Sequence, residues 1–165
     1  MNIFGKKIVI TVFLLLSLNG IHAQTEQTNL DQVELMKQFI GTWTCEYHKD
    51  TFLIIENTSF GTGMVSRSHI VTKGETLDSI IQLYGYDKKA DRYIMAELVR
   101  SSSVIEICDA FFTSGNAGEL VVTNTENAKF KWRFEFKTPD LIVQTAILDN
   151  KVVKEVSLTR MKSDL

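Results

Sequence analysis

Residues 129–137 read Lys-Phe-Lys-Trp-Arg-Phe-Glu-Phe-Lys. Phe130, Trp132, Phe134 and Phe136 share one parity, and five charged residues share the other. Strand side chains alternate faces with period two, whereas a helix would scatter these four aromatics around its circumference. The segment is therefore a strand with one dry face and one wet face, the pattern of an antiparallel sheet packed on one side.

The same period starts at Thr42, where Trp43, Cys45 and Tyr47 alternate with Thr44, Glu46 and His48. Further strands are expected over 51–58, 64–72, 76–84, 93–100, 104–112, 120–125, 128–137, 141–148 and 152–161. Turn signals separate them: Gly61-Thr62-Gly63, Lys73-Gly74, Asp87-Lys88-Lys89, Ser114-Gly115-Asn116, Thr138-Pro139-Asp140 and Asp149-Asn150. Connections this short join neighbouring antiparallel strands. The fold class is all-β, and the expected architecture is an up-and-down barrel of about eight to ten strands, favoured over a sandwich by the absence of long crossovers. One helical stretch precedes it. Val33, Leu35, Met36, Phe39 and Ile40 form an apolar stripe over 31–40, Asp31 and Glu34 have capping-box spacing, and Gly41 ends it.

The first 23 residues read differently. Lys6 and Lys7 precede an apolar run over 8–18, and Ala23 supplies a small residue at a cleavage point. This is the anatomy of a secretory signal peptide, and the run is too short for the roughly 20 residues that span a bilayer. The expectation is export to a periplasm or the outside, with one domain over 24–165. Charge is nearly balanced, 18 Lys and Arg against 20 Asp and Glu, which argues against a dedicated nucleic-acid binder. Cys45 and Cys108 both lie beyond the leader, and either a disulfide or two buried thiols is consistent with that compartment. Two cysteines and the separated His48 and His69 do not make a zinc site.

The last strand carries a second constraint. Val156 and Leu158 look inward if Glu155, Ser157 and Thr159 look outward, so parity sends Arg160 inward as well. A lone inward cation needs support, and an indole face supplies it through a cation–π contact of about 2 kcal/mol when desolvated. Gly41-Thr42-Trp43 at the start of the first strand, paired with Arg160 at the end of the last, resembles the signature of the calycin superfamily of lipocalin-like and nitrobindin-like barrels. Tyr84-Gly85-Tyr86-Asp87 and the ending Val156-Ser157-Leu158-Thr159-Arg160 are similar to a bacterial lipocalin-like family of unassigned function. The resemblance covers about residues 35 to 162. It implies a barrel able to hold a small apolar molecule, with Gly41, Trp43 and Arg160 closing the floor as structural residues.

The resemblance also raises haem, which nitrobindin-like barrels hold through a histidine late in the chain. Nothing after His69 is histidine here, so that ligand does not carry over; Tyr47 or His69 would have to replace it, and no cofactor is expected. No nucleophile, phosphate-loop or metal motif is present, so no catalytic residues are assigned. Glu97 and Glu106 are carboxylates on expected strands, read as facing the wet side rather than acting as an acid or base inside the barrel. The aromatic row of 130–136 is read as core before ligand wall. Tyr47, His69, Leu83, Met95 and Trp132 are the candidate ligand contacts, chosen by parity in the half of the barrel away from the floor. The expected function is an exported, non-enzymatic binder of a small hydrophobic molecule. The alternative is a filled barrel serving as an accessory subunit in an envelope or secreted complex.

Overall fold

The computed structural model describes residues 30–124 and 129–162. The expected signal peptide over 1–23 and the cleavage point lie outside the described residues. Among those described, no helix is long and apolar enough to cross a membrane.

A short helix α1 (Gln32–Met36) is followed by a single 3-10 turn, Lys37–Phe39. The helix is shorter than the stripe over 31–40 suggests, because the chain tightens to bring Phe39 under the barrel. The Asp31 side chain accepts a hydrogen bond from the Glu34 backbone N–H at 2.9 Å, the N-cap the spacing predicts. Ten strands follow in chain order: β1 Gly41–His48, β2 Thr51–Phe60, β3 Gly63–Thr72, β4 Glu75–Asp87, β5 Arg92–Val99, β6 Ile105–Phe112, β7 Ala117–Val122, β8 Phe130–Thr138, β9 Leu141–Leu148 and β10 Lys151–Arg160. Each pairs antiparallel with the next, and β10 returns to β1, so the sheet is a closed up-and-down barrel. Asp149 and Asn150 both adopt positive φ (49° and 62°) in the turn between β9 and β10, as a two-residue hairpin requires.

The β1–β10 seam is short. Trp43 pairs with Arg160 and Thr44 with Thr159, and no further register pair joins the two strands toward the mouth. Above the seam, the Lys154 ammonium sits 3.1 Å from the centre of the Tyr47 ring.

The floor is dry. Phe39 is wedged among Phe112, Phe134 and Phe136, with ring centres 4.9–6.0 Å away, and Trp43, Ile142 and Leu158 complete the cluster. Gln32, from the helix, is almost fully buried and pairs with the β6 backbone. Its amide donates to Phe112 O at 3.0 Å and accepts from Phe112 N–H at 2.7 Å. The helix thus closes one end of the barrel, which leaves the other end for any site.

Cys45 and Cys108 are free thiols, both buried. They sit on β1 and β6, five strands apart in either direction around a ten-stranded barrel. The disulfide alternative is corrected on that ground: the strands carrying the two cysteines face one another across the full width of the barrel, beyond the roughly 7 Å that a disulfide spans between Cα atoms.

Candidate functional site: a two-sided cavity inside the barrel

Above the aromatic floor the barrel encloses a cavity of about 240 Å³. Its walls differ. On one arc, Leu53 and Ile55 from β2, Val156 from β10, and Phe130 and Trp132 from β8 present apolar surface. On the other, β3 to β6 turn Ser66, Ser68, Gln82, Tyr84, Glu97 and Glu106 inward. The outer face of that second arc carries Ile81, Leu83, Ile94, Leu98 and Ile105, each between 38 and 53% exposed. The inner face of this sector mixes these polar groups with Met64, Ile70, Ile80 and Met95, so here polar side chains face in while aliphatic ones face out.

Register aligns the polar residues. Ser66 pairs with Gln82, Gln82 with Glu97, and Glu97 with Glu106, a row crossing four strands. Tyr84 Oη donates to Gln82 Oε1 at 3.0 Å, and Gln82 Nε2 donates to Glu97 Oε2. That amide orientation suits an ionised Glu97, which accepts only. Burial pushes the Glu97 carboxyl above the usual glutamate range; the Gln82 hydrogen bond opposes the shift, and the neighbouring Glu106 charge adds to it. Burial, with the nearby Glu97 charge, also raises the Tyr84 phenol. Ser66 is only 1% exposed, and its hydroxyl has no hydrogen-bond partner; Asn57 Oδ1, another buried cavity atom, is also unpartnered.

Of the five expected ligand contacts, Tyr47, Met95 and Trp132 line the cavity. His69 and Leu83 do not, and both are corrected. Leu83 pairs with Ala96 while Tyr84 pairs with Met95, so if Met95 faces in, Leu83 faces out, where it is 53% exposed. His69 lies between inward Ser68 and Ile70, in an open outer depression of about 310 Å³ with Arg67, Ile81, Leu98 and Arg100; its Nδ1 is 3.1 Å from Ser79 Oγ. Of the two side chains considered as haem ligands, only Tyr47 therefore faces the interior. Glu97 is corrected in the opposite sense, from the wet outer face to a half-buried place on the cavity wall; Glu106 also faces the cavity but stays exposed, as expected. The aromatic row divides: Phe134 and Phe136 belong to the buried floor, while Phe130 and Trp132 stand half-buried on the cavity wall.

Gly41, Trp43 and Arg160 meet at the floor. The Arg160 guanidinium carbon lies 4.1 Å from the Trp43 ring centre, and Trp43 Nε1 donates to Phe39 O at 2.8 Å. Arg160 also donates to the carbonyls of Gln38, Ile40 and Pro139. A Cβ at Gly41 would come within 2.8 Å of Arg160 Nη1, and its φ of +119° is one that side chains avoid, so the position demands glycine twice over.

Among the described residues no group of three or more His, Cys, Asp and Glu side chains gathers as a metal site would require. Comparison with protein-family models finds no match, and comparison with curated proteins finds none either.

Proposed function

We propose that this protein is a calycin-like barrel that binds one small hydrophobic or amphipathic molecule, and that it is exported after removal of residues 1–23. The cavity carries this reading: it lies above a closed aromatic floor, and one wall is apolar enough to drive binding by burial, at about 25 cal/mol per Å² removed from water. Its volume sits just under the roughly 300 Å³ at which drug-sized pockets begin, which favours a single short chain or one ring system. The polar row on the opposite wall would fix the orientation of such a ligand, and Arg160 would hold the floor from behind Trp43, which lines the cavity.

Native mass spectrometry of the protein purified from its own host tests the proposal. A stoichiometric extra mass, lost on denaturation, is the expected result. A bare peak that stays bare after exposure to decanol, decanoate and haem overturns it.

The outer face of β3 to β6 favours a second role compatible with the first. Ile81 pairs with Leu98 and Leu98 with Ile105, so three exposed aliphatic side chains stand in a row on the barrel's outside. Such a face suits an accessory or assembly surface. Sedimentation over a hundredfold dilution, comparing the wild type with Leu98→Lys, reads whether this face associates.

A further inference from the structure

The interior polar row is built around two acids that nothing on the protein neutralises. Glu97 and Glu106 are direct register partners on β5 and β6, and both line the cavity, Glu97 half-buried and Glu106 still exposed to solvent. Like charges placed opposite each other across an antiparallel pair are destabilising. Some outward acids have cationic partners, Glu119 with Lys131 and Arg133, Asp109 with Arg92, and Glu135 with Lys137, whereas others, such as Glu46, Glu56 and Glu155, are left to solvent. Among the described residues no ion pair reaches Glu97 or Glu106. Lys154, an inward cation near the mouth, is on the far arc of the barrel, held over the Tyr47 ring. The same row ends in Ser66, whose fully buried hydroxyl has no partner and faces the cavity. A buried polar group left unpaired costs about 1–3 kcal/mol, so this hydroxyl, two strands and about 10 Å along the row from Glu97, marks a second point on the same wall where a polar group of the ligand belongs.

We propose that the cavity selects a cationic amphiphile, a primary alkylamine or related ammonium compound, whose charged head sits against Glu97 and Glu106 and whose apolar body packs on Leu53, Ile55 and Trp132. An ammonium has three donors and no acceptor, which complements the carboxylate oxygens. A calcium ion takes about six to eight oxygen ligands, more than this pair supplies. A carboxylate head would meet two negative charges, and its only cationic recourse is a Lys154 already engaged by an aromatic ring. The assignment rests on the binding function proposed above and specifies its ligand class.

Decylamine, decanol and decanoate, which share one chain and differ in the head, separate the two ideas. Titration of the full chain at neutral pH, followed by tryptophan fluorescence and by calorimetry, is expected to place decylamine about tenfold or more tighter than decanol, with decanoate weakest. The double variant Glu97→Gln/Glu106→Gln is expected to lower decylamine affinity about tenfold, to the level of decanol, while decanol binding changes less than about twofold. A circular dichroism spectrum identical to wild type confirms that the variant is folded. Decanol binding with no preference for decylamine, or a preference that survives the double variant, overturns this inference and leaves the hydrophobic-ligand reading standing. Failure of all three probes to bind overturns both.

Discussion

Arg160 and Trp43 are register partners across the barrel seam, and the guanidinium lies over the indole at 4.1 Å. The same guanidinium gathers the carbonyls of Gln38, Ile40 and Pro139, tying the chain before β1 and the β8–β9 turn to the end of β10. Arg160→Ala removes the cation–π contact and strands these carbonyls at the seam, for an expected loss of about 3 kcal/mol. Lysine restores the charge but not the planar fork, so Arg160→Lys is expected to recover less than half. Urea unfolding followed by Trp43 fluorescence reads both. A loss under about 1 kcal/mol for the alanine variant would reduce Arg160 to an ordinary surface residue.

Gln32 acts as an extra rung on β6. Its amide exchanges both hydrogen bonds with Phe112, deep in the floor. Gln32→Ala leaves a buried N–H and C=O unpaired at once, and about 2–3 kcal/mol of stability should go with them. Gln32→Glu keeps the acceptor and loses the donor, so its destabilisation should ease as pH falls and the carboxyl gains a proton. Thermal melts at neutral and acid pH separate the two variants.

These two sites differ in how far the sequence disclosed them. Arg160 was legible because β10 alternates cleanly, and parity alone turned it inward toward Trp43. Strand β8 was legible for the same reason, and the turn residues fixed most strand ends to within two or three positions. Gln32 was not, because a polar side chain beside an apolar stripe normally faces water, and only the tertiary fold brings the Phe112 backbone to it. Strands β3 to β6 misled in a third way. There both faces carry aliphatic side chains and polar ones also turn inward, so hydrophobicity does not report facing; Leu83 looked like an inward residue and Glu97 like an outward one. Register held the correcting signal. A turn over 88–91 pairs Asp87 with Arg92 and therefore, five residues back along the hairpin, Gln82 with Glu97. With Tyr93 and Met95 turned inward, Glu97 had to follow.

The two thiols make the alkaline limb of stability diagnostic. Burial pushes the Cys108 thiol up to about 12 from 9.0, with the Glu106, Glu97 and Asp109 charges adding to the shift. Burial likewise raises the Tyr93 phenol to about 12 and shifts Tyr84 upward. A folded-state pKa above the unfolded one gives stability that is whole below pH 9 and drains as pH rises toward 12. The thiols begin to contribute near pH 9 and the phenols near pH 10, their ordinary values. Cys108→Ala should therefore reduce the slope from pH 9 to about 12, with the greatest proportional loss before the tyrosines join. Both wild-type thiols should react with a thiol reagent only after denaturation, and mobility on a gel should not change with reductant. A thiol count below two in the denatured, unreduced protein would mean that the cysteines pair after all.

The Glu97–Glu106 pair sets stability against binding. In the unliganded barrel the two charges repel, so Glu106→Gln should raise stability at neutral pH by about 0.5 kcal/mol while weakening decylamine. Proton binding should act as the substitution does. Burial holds the Glu97 carboxyl above its ordinary range, so the folded state takes up a proton before the unfolded state does, and the pair's destabilisation is relieved as pH falls from neutral. The groups facing it are Gln82 and Tyr84 on β4 and Glu106 and Cys108 on β6; Tyr84 and Cys108 stay neutral throughout this window, as both are shifted upward. Decylamine keeps its charge there as well, because alkylamines titrate near the lysine value of about 10.4. Among the groups facing the amine, Glu97 is the one whose upward shift opens this window. Decylamine affinity should therefore fall, and unliganded stability from this pair rise, over the same pH interval, beginning above the ordinary glutamate range. Titrations at a series of pH values from neutral to acid, paired with urea midpoints, read both curves. Affinity that stays flat while the carboxyls protonate would place the amine elsewhere in the barrel.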